Sequence, residues 1–306
     1  MGTPDFSVPA LQHLAAQDDF HISLVVTQPD RPKGRGKKLA PSPVKTAALE
    51  LGLDIFQPEK INTKEAKDKL LSLQPDFFVV AAFGQILSQE ILDIPKVFPI
   101  NIHASLLPKY RGASPIQASI LNMDAVTGVT TMVMAKGMDT GDILLASKTP
   151  ISEHDTAQDI HDRLGGMGAD LIIETIHAIL DNRLKPRPQD HSKATHVKML
   201  KKSDGKINWT LSNKQICAHI NAMTPWPGAF THLGNKSIKI YTAKTSDKPS
   251  GHEPGVIFQC DKEGIHVATG NGGLTILELM GSSGKRLKAM DFLCGHKIEP
   301  PIKFDF

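Results

Sequence analysis

Short apolar runs alternate with amphipathic stretches along the first part of the chain. The runs His21–Thr27, Asp76–Ala82 and Val97–Ile102 are rich in β-branched and aromatic residues, which predicts strands. The second run is apolar at nearly every position, as is typical of a strand buried on both faces. Residues Pro43 to Leu51 predict a helix. Strands separated by helices indicate a parallel sheet covered by helices.

A long helix is expected after two further strands, Thr130–Met134 and Asp142–Ser147. The residues Asp155-Thr156-Ala157-Gln158 have the spacing of a capping box. In this motif the side chain of the first residue accepts from the backbone N–H of the fourth, and the side chain of the fourth accepts from the backbone N–H of the first. Apolar residues then continue along one face. The helix is therefore predicted to begin at this box and to end near Leu180.

The pattern changes in the second part of the chain. From Asp181 to Gly205 the apolar periodicity fades while prolines and lysines accumulate, which is typical of a linker. A short helix (Ser212–Ala222) then precedes β-rich runs, which are Ala229–Leu233, Ser237–Ala243, Gly255–Cys260, Ile265–Thr269 and Leu274–Leu279. We therefore predict an α/β fold with a Rossmann-like, mostly parallel sheet domain over 1–182, a basic linker over 183–204 and a small OB-like β-barrel domain over 205–306.

The composition is that of an ordinary globular chain. Of the 306 residues, 40% are apolar and 22% are charged, and no run suits a membrane span or a signal peptide. The three cysteines, Cys217, Cys260 and Cys294, lie far apart and predict reduced thiols rather than a zinc site or disulfides. A net charge of +3 does not by itself indicate nucleic acid. We expect a cytoplasmic monomer that does not associate with membranes.

The candidate chemistry lies at the end of the predicted strand Val97–Ile102. Asn101 and His103 alternate there, so their side chains point to the same side, at the edge where open α/β sheets bind ligands. An amide and an imidazole together suit a carbonyl that becomes an oxyanion, because both donate hydrogen bonds to it. Taken alone, a histidine at a strand end is more often structural. The pair supplies too few ligands for a metal, and we expect none.

The longer string around this pair is more specific. Asn101-Ile102-His103-Ala104-Ser105-Leu106-Leu107-Pro108, followed by Tyr110-Arg111-Gly112, resembles the folate-dependent formyltransferases, and Met138-Asp139-Thr140-Gly141-Asp142 resembles that family's second motif. The resemblance, which covers nearly the whole chain, implies a catalytic triad of Asn101, His103 and Asp139. Asp142 is the alternative carboxylate, but the family's aspartate follows an apolar residue and precedes x-Gly, which describes Asp139.

The resemblance implies a reaction in which an amine attacks the formyl carbon of the co-substrate 10-formyltetrahydrofolate. The tetrahedral intermediate carries negative charge on oxygen, which Asn101 and His103 would stabilise. Asp139 would orient His103 and favour its cationic form. The proton lost by the amine would reach the folate nitrogen through Asp139, His103 or an ordered water.

The resemblance also implies two walls of a folate pocket. Without the resemblance, the first wall, residues 105–108, would be an ordinary loop that ends at a proline. The second wall, near residues 83–87, directly follows the buried strand and would contact the ligand through its backbone. The implied folate-binding residues are Ser105, Leu106, Leu107 and Pro108 in the first wall and Phe83, Gly84 and Ile86 in the second.

A basic loop bears on the identity of the amine. Between Gln28 and Leu39 five basic residues face one acid, namely Arg31, Lys33, Arg35, Lys37 and Lys38 against Asp30. A run of charged residues is often only a solvent-exposed surface. Here, however, glycines allow the backbone to approach a ligand closely, and the loop is expected at the ligand-binding edge of the sheet. Both features favour the binding of phosphate groups. The string through Lys45 resembles the loop by which methionyl-tRNA formyltransferases enter the tRNA acceptor stem. It implies initiator methionyl-tRNA as partner, contacted by these five residues and above all by Arg35.

A second basic segment precedes the predicted barrel. Residues 183–206 contain two acids, Asp190 and Asp204, against eight basic residues, which are Arg183, Lys185, Arg187, Lys193, Lys198, Lys201, Lys202 and Lys206. Such a segment would give an RNA backbone a second surface. Trp209 and Trp226 could stack on bases, but we expect both to be packing residues.

Family members begin with a strand ahead of the turn Gly2-Thr3-Pro4-Asp5-Phe6, whereas here Met1 stands directly before Gly2. We therefore expect an upstream strand that this sequence omits, since losing a central strand would cost much of the core.

Three other functions are compatible with parts of the sequence. Formyl transfer to an amino-sugar nucleotide or another small amine would use the same triad without needing the basic loop. A non-catalytic RNA-binding module would need no triad, and the intact triad disfavours it. A folate dehydrogenase would need an aldehyde-dehydrogenase domain with a catalytic cysteine, which this sequence lacks.

Overall fold

The computed structural model of the protein describes residues 1–33, 36, 38–246, 248, 251–281 and 284–305. Contacts within the chain divide them into two units. The first contains residues 1–115, 127–149 and 161–197, and the second contains 116–126, 150–160 and the residues from 198 onward. Two segments that precede residue 182 are thus grouped with the second unit, and the predicted boundaries at 182 and 205 stay a prediction.

The first unit contains ten described strands, five of which overlap the predicted runs. They are β1 (Val25–Val26), β2 (Arg31–Lys33), β3 (Lys38–Ala40), β4 (Ile55–Phe56), β5 (Phe77–Val80), β6 (Phe98–His103), β7 (Arg111–Gly112), β8 (Val126–Val133), β9 (Ile143–Pro150) and β10 (His196–Val197). Strands β5, β6, β8 and β9 form one sheet in that order, in which β5 and β6 are parallel and β8 is antiparallel to β6. The α/β class with Rossmann-like parallel strands is confirmed.

Helices accompany these strands at α1 (Val8–Ala15), α2 (Pro43–Glu50), α3 (Lys64–Ser72), α4 (Gln89–Leu92), α5 (Pro115–Leu121) and α6 (Ala157–Leu180). Helix α2 begins where the sequence predicts it, because the Ser42 hydroxyl accepts from the backbone N–H of Lys45 at 3.0 Å. Its buried residues Val44 and Ala48 pack against Val25 of β1. This places the loop between β1 and α2, which carries the basic residues, at one end of the first unit's strands.

Helix α6 begins within the four residues that are predicted to cap it. Thr156 and Asp159 form a capping box, since the Thr156 hydroxyl accepts from the N–H of Asp159 at 3.3 Å and the Asp159 carboxylate accepts from the N–H of Thr156 at 2.8 Å. The Asp155 carboxylate also accepts from the N–H of Ser152 in the preceding turn, at 2.8 Å. The helix begins at Ala157. Its predicted end at Leu180 is confirmed.

Met1 and Gly2 lie between β1 and β5. The N–H of Gly2 donates to Val26 O, and Met1 O accepts from the N–H of Ala81, both at 3.0 Å. Burial lowers the pKa of the Met1 amino group to about 5, and this group donates to Val79 O at 2.6 Å. A cavity of about 550 Å³ lies beside it, lined mainly by residues of α1, β5 and the segment before β1.

The strand prediction over His21–Thr27 is wrong in length. Only Val25 and Val26 form a strand, because β4 and Gly2 supply backbone partners only at that end of the run. The expected strand upstream of Met1 stays a prediction.

The second unit contains a curled antiparallel sheet. Its strands are β11 (Ala229–Leu233), β12 (Lys236–Ser246), β13 (Val256–Asp261), β14 (Gly264–Ala268), β15 (Gly273–Met280), β16 (Arg286–Lys288) and β17 (Ile302–Lys303), with helices α7 (Asn213–Met223) and α8 (Ala289–Gly295). The order is β11-β12-β15-β14-β13-β17, and β16 pairs with β15. Register shifts around Thr242 bend β12, and a bridge from His232 to Asp305 joins the two ends of the sheet. The predicted small β-barrel is confirmed as this curled sheet.

The two tryptophans lie in different surroundings. Trp209 is fully buried, stacks on Phe304 with ring centroids 5.2 Å apart, and donates from Nε1 to the Thr231 hydroxyl at 3.0 Å. Trp226 is 51% exposed. The packing prediction is therefore wrong for Trp226, because it lies in the turn between α7 and β11 rather than on an element that faces the core.

Two further observations concern the cysteines and the helices. Cys217, Cys260 and Cys294 are free thiols. Within the described residues, no helix combines the length and the hydropathy that a membrane crossing requires.

Candidate active site

Strand β6 ends in the two residues that the sequence singles out. Ile100 and Ile102 alternate with them and are buried, with 0% and 4% exposure. Asn101 and His103 therefore share the other face of the strand. Asn101 is half-buried, and its amide makes no hydrogen bond to the part of the chain that the structure describes. The amide is thus available to a ligand.

His103 is buried between two acceptors. Its Nε2 lies 3.0 Å from the backbone carbonyl of Tyr110, and its Nδ1 lies 3.6 Å from Oδ2 of Asp139. A carbonyl only accepts, so Nε2 donates to the carbonyl of Tyr110, whereas the distance from Nδ1 to the carboxylate is longer than a hydrogen bond. An imidazole held in this way can stabilise negative charge that develops beside it.

Asp139 is held in an uncommon backbone conformation. Its φ is 51°, and its Oδ2 accepts from the N–H of Gly112 at 2.8 Å. Two glycines allow the neighbouring turns, because a Cβ on Gly112 would overlap the Val197 carbonyl and one on Gly141 would overlap the Val133 carbonyl. The alternative carboxylate, Asp142, is not among the described partners of His103. The structure thus brings Asn101, His103 and Asp139 to one end of the sheet.

Comparisons with known proteins place this geometry in a family. Residues 1–176 match the family described as formyl transferase, and residues 199–297 match its C-terminal domain. A methionyl-tRNA formyltransferase of Geobacter sulfurreducens is 46% identical over 300 residues, covering 98% of this chain and 94% of that protein. The chain belongs to the formyl transferase family, among the methionyl-tRNA formyltransferases.

Solved structures of formyltransferases share the fold. The sugar 3N-formyl transferase WlaRD, solved in the presence of dTDP and 5-N-formyl-THF, matches with a TM-score of 0.67 at 22% identity over 90% of this chain and 94% of that one. A methionyl-tRNA formyltransferase from Clostridium thermocellum matches with a TM-score of 0.52 at 22% identity over 64% of this chain and 82% of that one. At these identities the likeness is one of fold alone.

Two residues that support the site of this formyltransferase were missed from the sequence. Gln189 is 5% exposed and donates from Nε2 to the carbonyl of Asp139 at 2.9 Å. The hydroxyl of Thr195 accepts from the N–H of Tyr110 at 2.8 Å. Both lie in the segment that composition describes as a linker, and neither belongs to a recognisable motif.

The two predicted folate walls of the formyltransferase site differ in exposure. Ser105 is fully buried, and its hydroxyl donates to the carbonyl of Lys109 at 2.6 Å, so this side chain holds the turn together. Leu107 is also buried, whereas Leu106 and Pro108 are half-buried. In the second wall, Phe83 is buried and Gly84 is exposed. Ile86 is 81% exposed.

The basic loop of this formyltransferase begins and ends on β2 and β3. Arg31 is exposed and pairs with Glu59 at 2.9 Å, and Lys38 lies on β3. Hydrogen bonds from Lys45 and Gln57 lower the pKa of Asp30, which keeps the one acid of the loop ionised and tied to α2. Arg35 and Lys37, and the side chain of Lys33, lie outside the described residues.

Proposed function

We propose that this enzyme transfers the formyl group of 10-formyltetrahydrofolate to the α-amino group of initiator methionyl-tRNA, giving formylmethionyl-tRNA. The observation that carries the proposal is the pairing of His103 with Asp139 at 3.6 Å beside Asn101, in a chain whose curated relatives are named for this activity. We further propose that it works as a monomer in the cytoplasm, where translation begins.

The chain offers groups that fit the folate co-substrate, which supplies an activated formyl carbon. The exposed side chain of Ile86 provides an apolar contact for a planar ring, next to a glycine backbone at Gly84 that allows close approach. The unpartnered amide of Asn101 provides a donor for the formyl oxygen. We propose that Leu106 and Pro108 complete the pocket and that Ser105 and Leu107 contribute through the backbone.

Each catalytic side chain has a distinct role in the proposed transfer. The amine attacks the formyl carbon, and the charge that develops on the formyl oxygen is stabilised by the amide donor of Asn101 and by the His103 ring beside it. Asp139 holds the His103 ring in place. The amine then loses a proton, the bond from carbon to the folate nitrogen breaks, and that nitrogen takes up a proton.

The basic loop supports tRNA as the acceptor. Lys45 and Gln57 bind the carboxylate of Asp30, which fixes the residue at the start of the loop. We propose that Arg35, with the other basic residues of the loop, contacts phosphates of the acceptor stem. The exposed ring of Trp226 and the lysines of 198–206 give the second unit its own RNA-binding groups.

An acceptor competition tests the proposal. The enzyme is incubated with 10-formyltetrahydrofolate and one of three acceptors: methionyl-tRNA, free methionine, or a dTDP-linked amino sugar. We expect transfer to methionyl-tRNA with a kcat/KM at least about 100-fold above the other two. Equal rates on free methionine would contradict the tRNA assignment, and preference for the amino sugar would support the rival substrate class.

A further inference from the structure

The segment 189–197 contacts both of the residues that face the ring of His103, namely Tyr110 and Asp139. The hydroxyl of Thr195 accepts from the N–H of Tyr110, and its carbonyl accepts from the N–H of Arg111, both at 2.8 Å. Tyr110 supplies the carbonyl that binds Nε2 of His103. Six residues earlier in the same segment, Gln189 lies against the turn that carries Asp139. Residues 189–197 therefore contact the partners of both ring nitrogens.

The amide of Gln189 has a complete set of partners. Its Nε2 donates to the carbonyls of Asp139 and Gly141 at 2.9 and 2.6 Å, and its Oε1 accepts from Nε and Nη2 of Arg111 at 3.1 and 2.7 Å. Because a guanidinium can only donate and a carbonyl can only accept, the opposite orientation of the amide would lose all these bonds. The contacts fix the amide in a single orientation.

The backbone of Asp139 needs such a support. An aspartate with a φ of 51° lies in the left-handed region, and such conformations persist where the surroundings determine them. Two hydrogen bonds constrain Asp139: the N–H of Gly112 donates to its carboxylate, and Nε2 of Gln189 donates to its backbone carbonyl. Arg111, which is only 3% exposed, links them, since it precedes Gly112 in β7 and binds Gln189 through its side chain.

We propose that Gln189 is a positioning residue that fixes the carboxylate of Asp139 against His103. The inference rests on the proposed catalytic role of Asp139. Because a displacement of about 1 Å in a catalytic group can cost roughly 100-fold in rate, loss of the two donors of Gln189 should lower kcat and leave substrate binding intact.

Two variants of Gln189 separate its donors from its acceptor. Gln189→Glu keeps an acceptor for Arg111 but turns an oxygen toward two carbonyls, and Gln189→Leu removes donor and acceptor together. For both we expect kcat to fall about 10- to 100-fold while KM for methionyl-tRNA and for folate stays within about twofold. His191→Ala is the matched control, since His191 Nδ1 also accepts from Arg111 but does not touch the Asp139 turn, and it should keep kcat within about threefold.

Hydrogen exchange gives a readout that does not depend on activity. The amide of Gly112 donates to the carboxylate of Asp139, so its exchange reports the position of that carboxylate. In Gln189→Glu, peptides covering 109–114 and 138–142 should exchange faster than in the wild type, whereas peptides of β14 should be unchanged. Unchanged kcat and exchange in a folded Gln189→Glu variant would overturn the inference, as would faster exchange throughout the chain. If the wild-type enzyme transferred no formyl group to methionyl-tRNA, the proposed function would be wrong. Hydrogen exchange would still test whether Gln189 positions the carboxylate of Asp139.

Discussion

At the scale of single residues, Asn101 gives the cleanest test of catalysis. Its amide is half-buried and has no partner in the described part of the chain, so its removal leaves no buried group unsatisfied. We predict that Asn101→Ala lowers kcat by about 10²- to 10³-fold and changes the free energy of unfolding by less than about 0.5 kcal/mol. Steady-state kinetics and urea unfolding measure the two effects. A kcat within about threefold of wild type would remove Asn101 from the site.

Cys217 offers an independent check on the interior of the second unit. Burial raises the pKa of its thiol to about 11, and the negative charge of Glu153 adds to this. Little thiolate forms near neutral pH, so we predict that iodoacetamide modifies the exposed Cys294 well before Cys217 in the native protein. Peptide mass spectrometry over time measures the order. Equally fast modification of both thiols, with the protein still folded, would contradict the described burial.

The proposed catalytic residues could be predicted from the sequence, whereas the residues that support them could not. Asn101, His103 and Asp139 belong to short strings in which residue type and spacing are informative. Gln189 and Thr195 act through hydrogen bonds to residues 50 and 85 positions away, and such bonds leave no periodic pattern. These two could be recognised only once β7 and β10 were seen to pair.

At the scale of elements, a capping box holds the start of α6. Thr156 and Asp159 exchange hydrogen bonds there, so we predict that Thr156→Ala costs about 1 kcal/mol of stability, because the N–H of Asp159 loses its acceptor. Urea unfolding measures the loss. Glu174→Ala, at an exposed position of the same helix, is the control and should cost less than about 0.5 kcal/mol. A Thr156→Ala variant as stable as the control would contradict the observed cap.

Elements were predictable where local signals and long-range partners agree. Helix α2 begins at the predicted residue because Ser42 caps it locally. The run at residues 21–27 has strand-forming residues, yet only Val25 and Val26 pair, because strand length depends on neighbours that composition does not reveal. Trp226 illustrates the same limit, since its exposure is set by the turn in which it lies.

At the scale of the whole molecule, the sequence carries two clusters of positive charge, one in the loop near residue 35 and one in the segment 183–206. If both contact tRNA phosphates, the logarithm of the affinity should fall steeply and linearly with the logarithm of salt concentration. We predict that Arg35→Ala raises KM for methionyl-tRNA and reduces the salt slope by about 1, with KM for folate unchanged. Lys64→Ala, which removes an exposed charge paired with Asp68 on α3, is the control. An unaltered salt slope in Arg35→Ala would exclude a phosphate contact by Arg35.

The most direct measurement is single-turnover transfer of labelled formyl from 10-formyltetrahydrofolate to methionyl-tRNA, with wild type and His103→Ala compared at saturating enzyme. Because His103 is buried against Asp139 and Tyr110 at the end of β6, its loss should remove a polar ring from the reacting centre. We predict rapid formylation by the wild type and a rate lower by about 10²-fold or more in a folded His103→Ala variant. A wild type that leaves methionyl-tRNA unformylated, or a His103→Ala variant that keeps most of the rate, would contradict the proposed site.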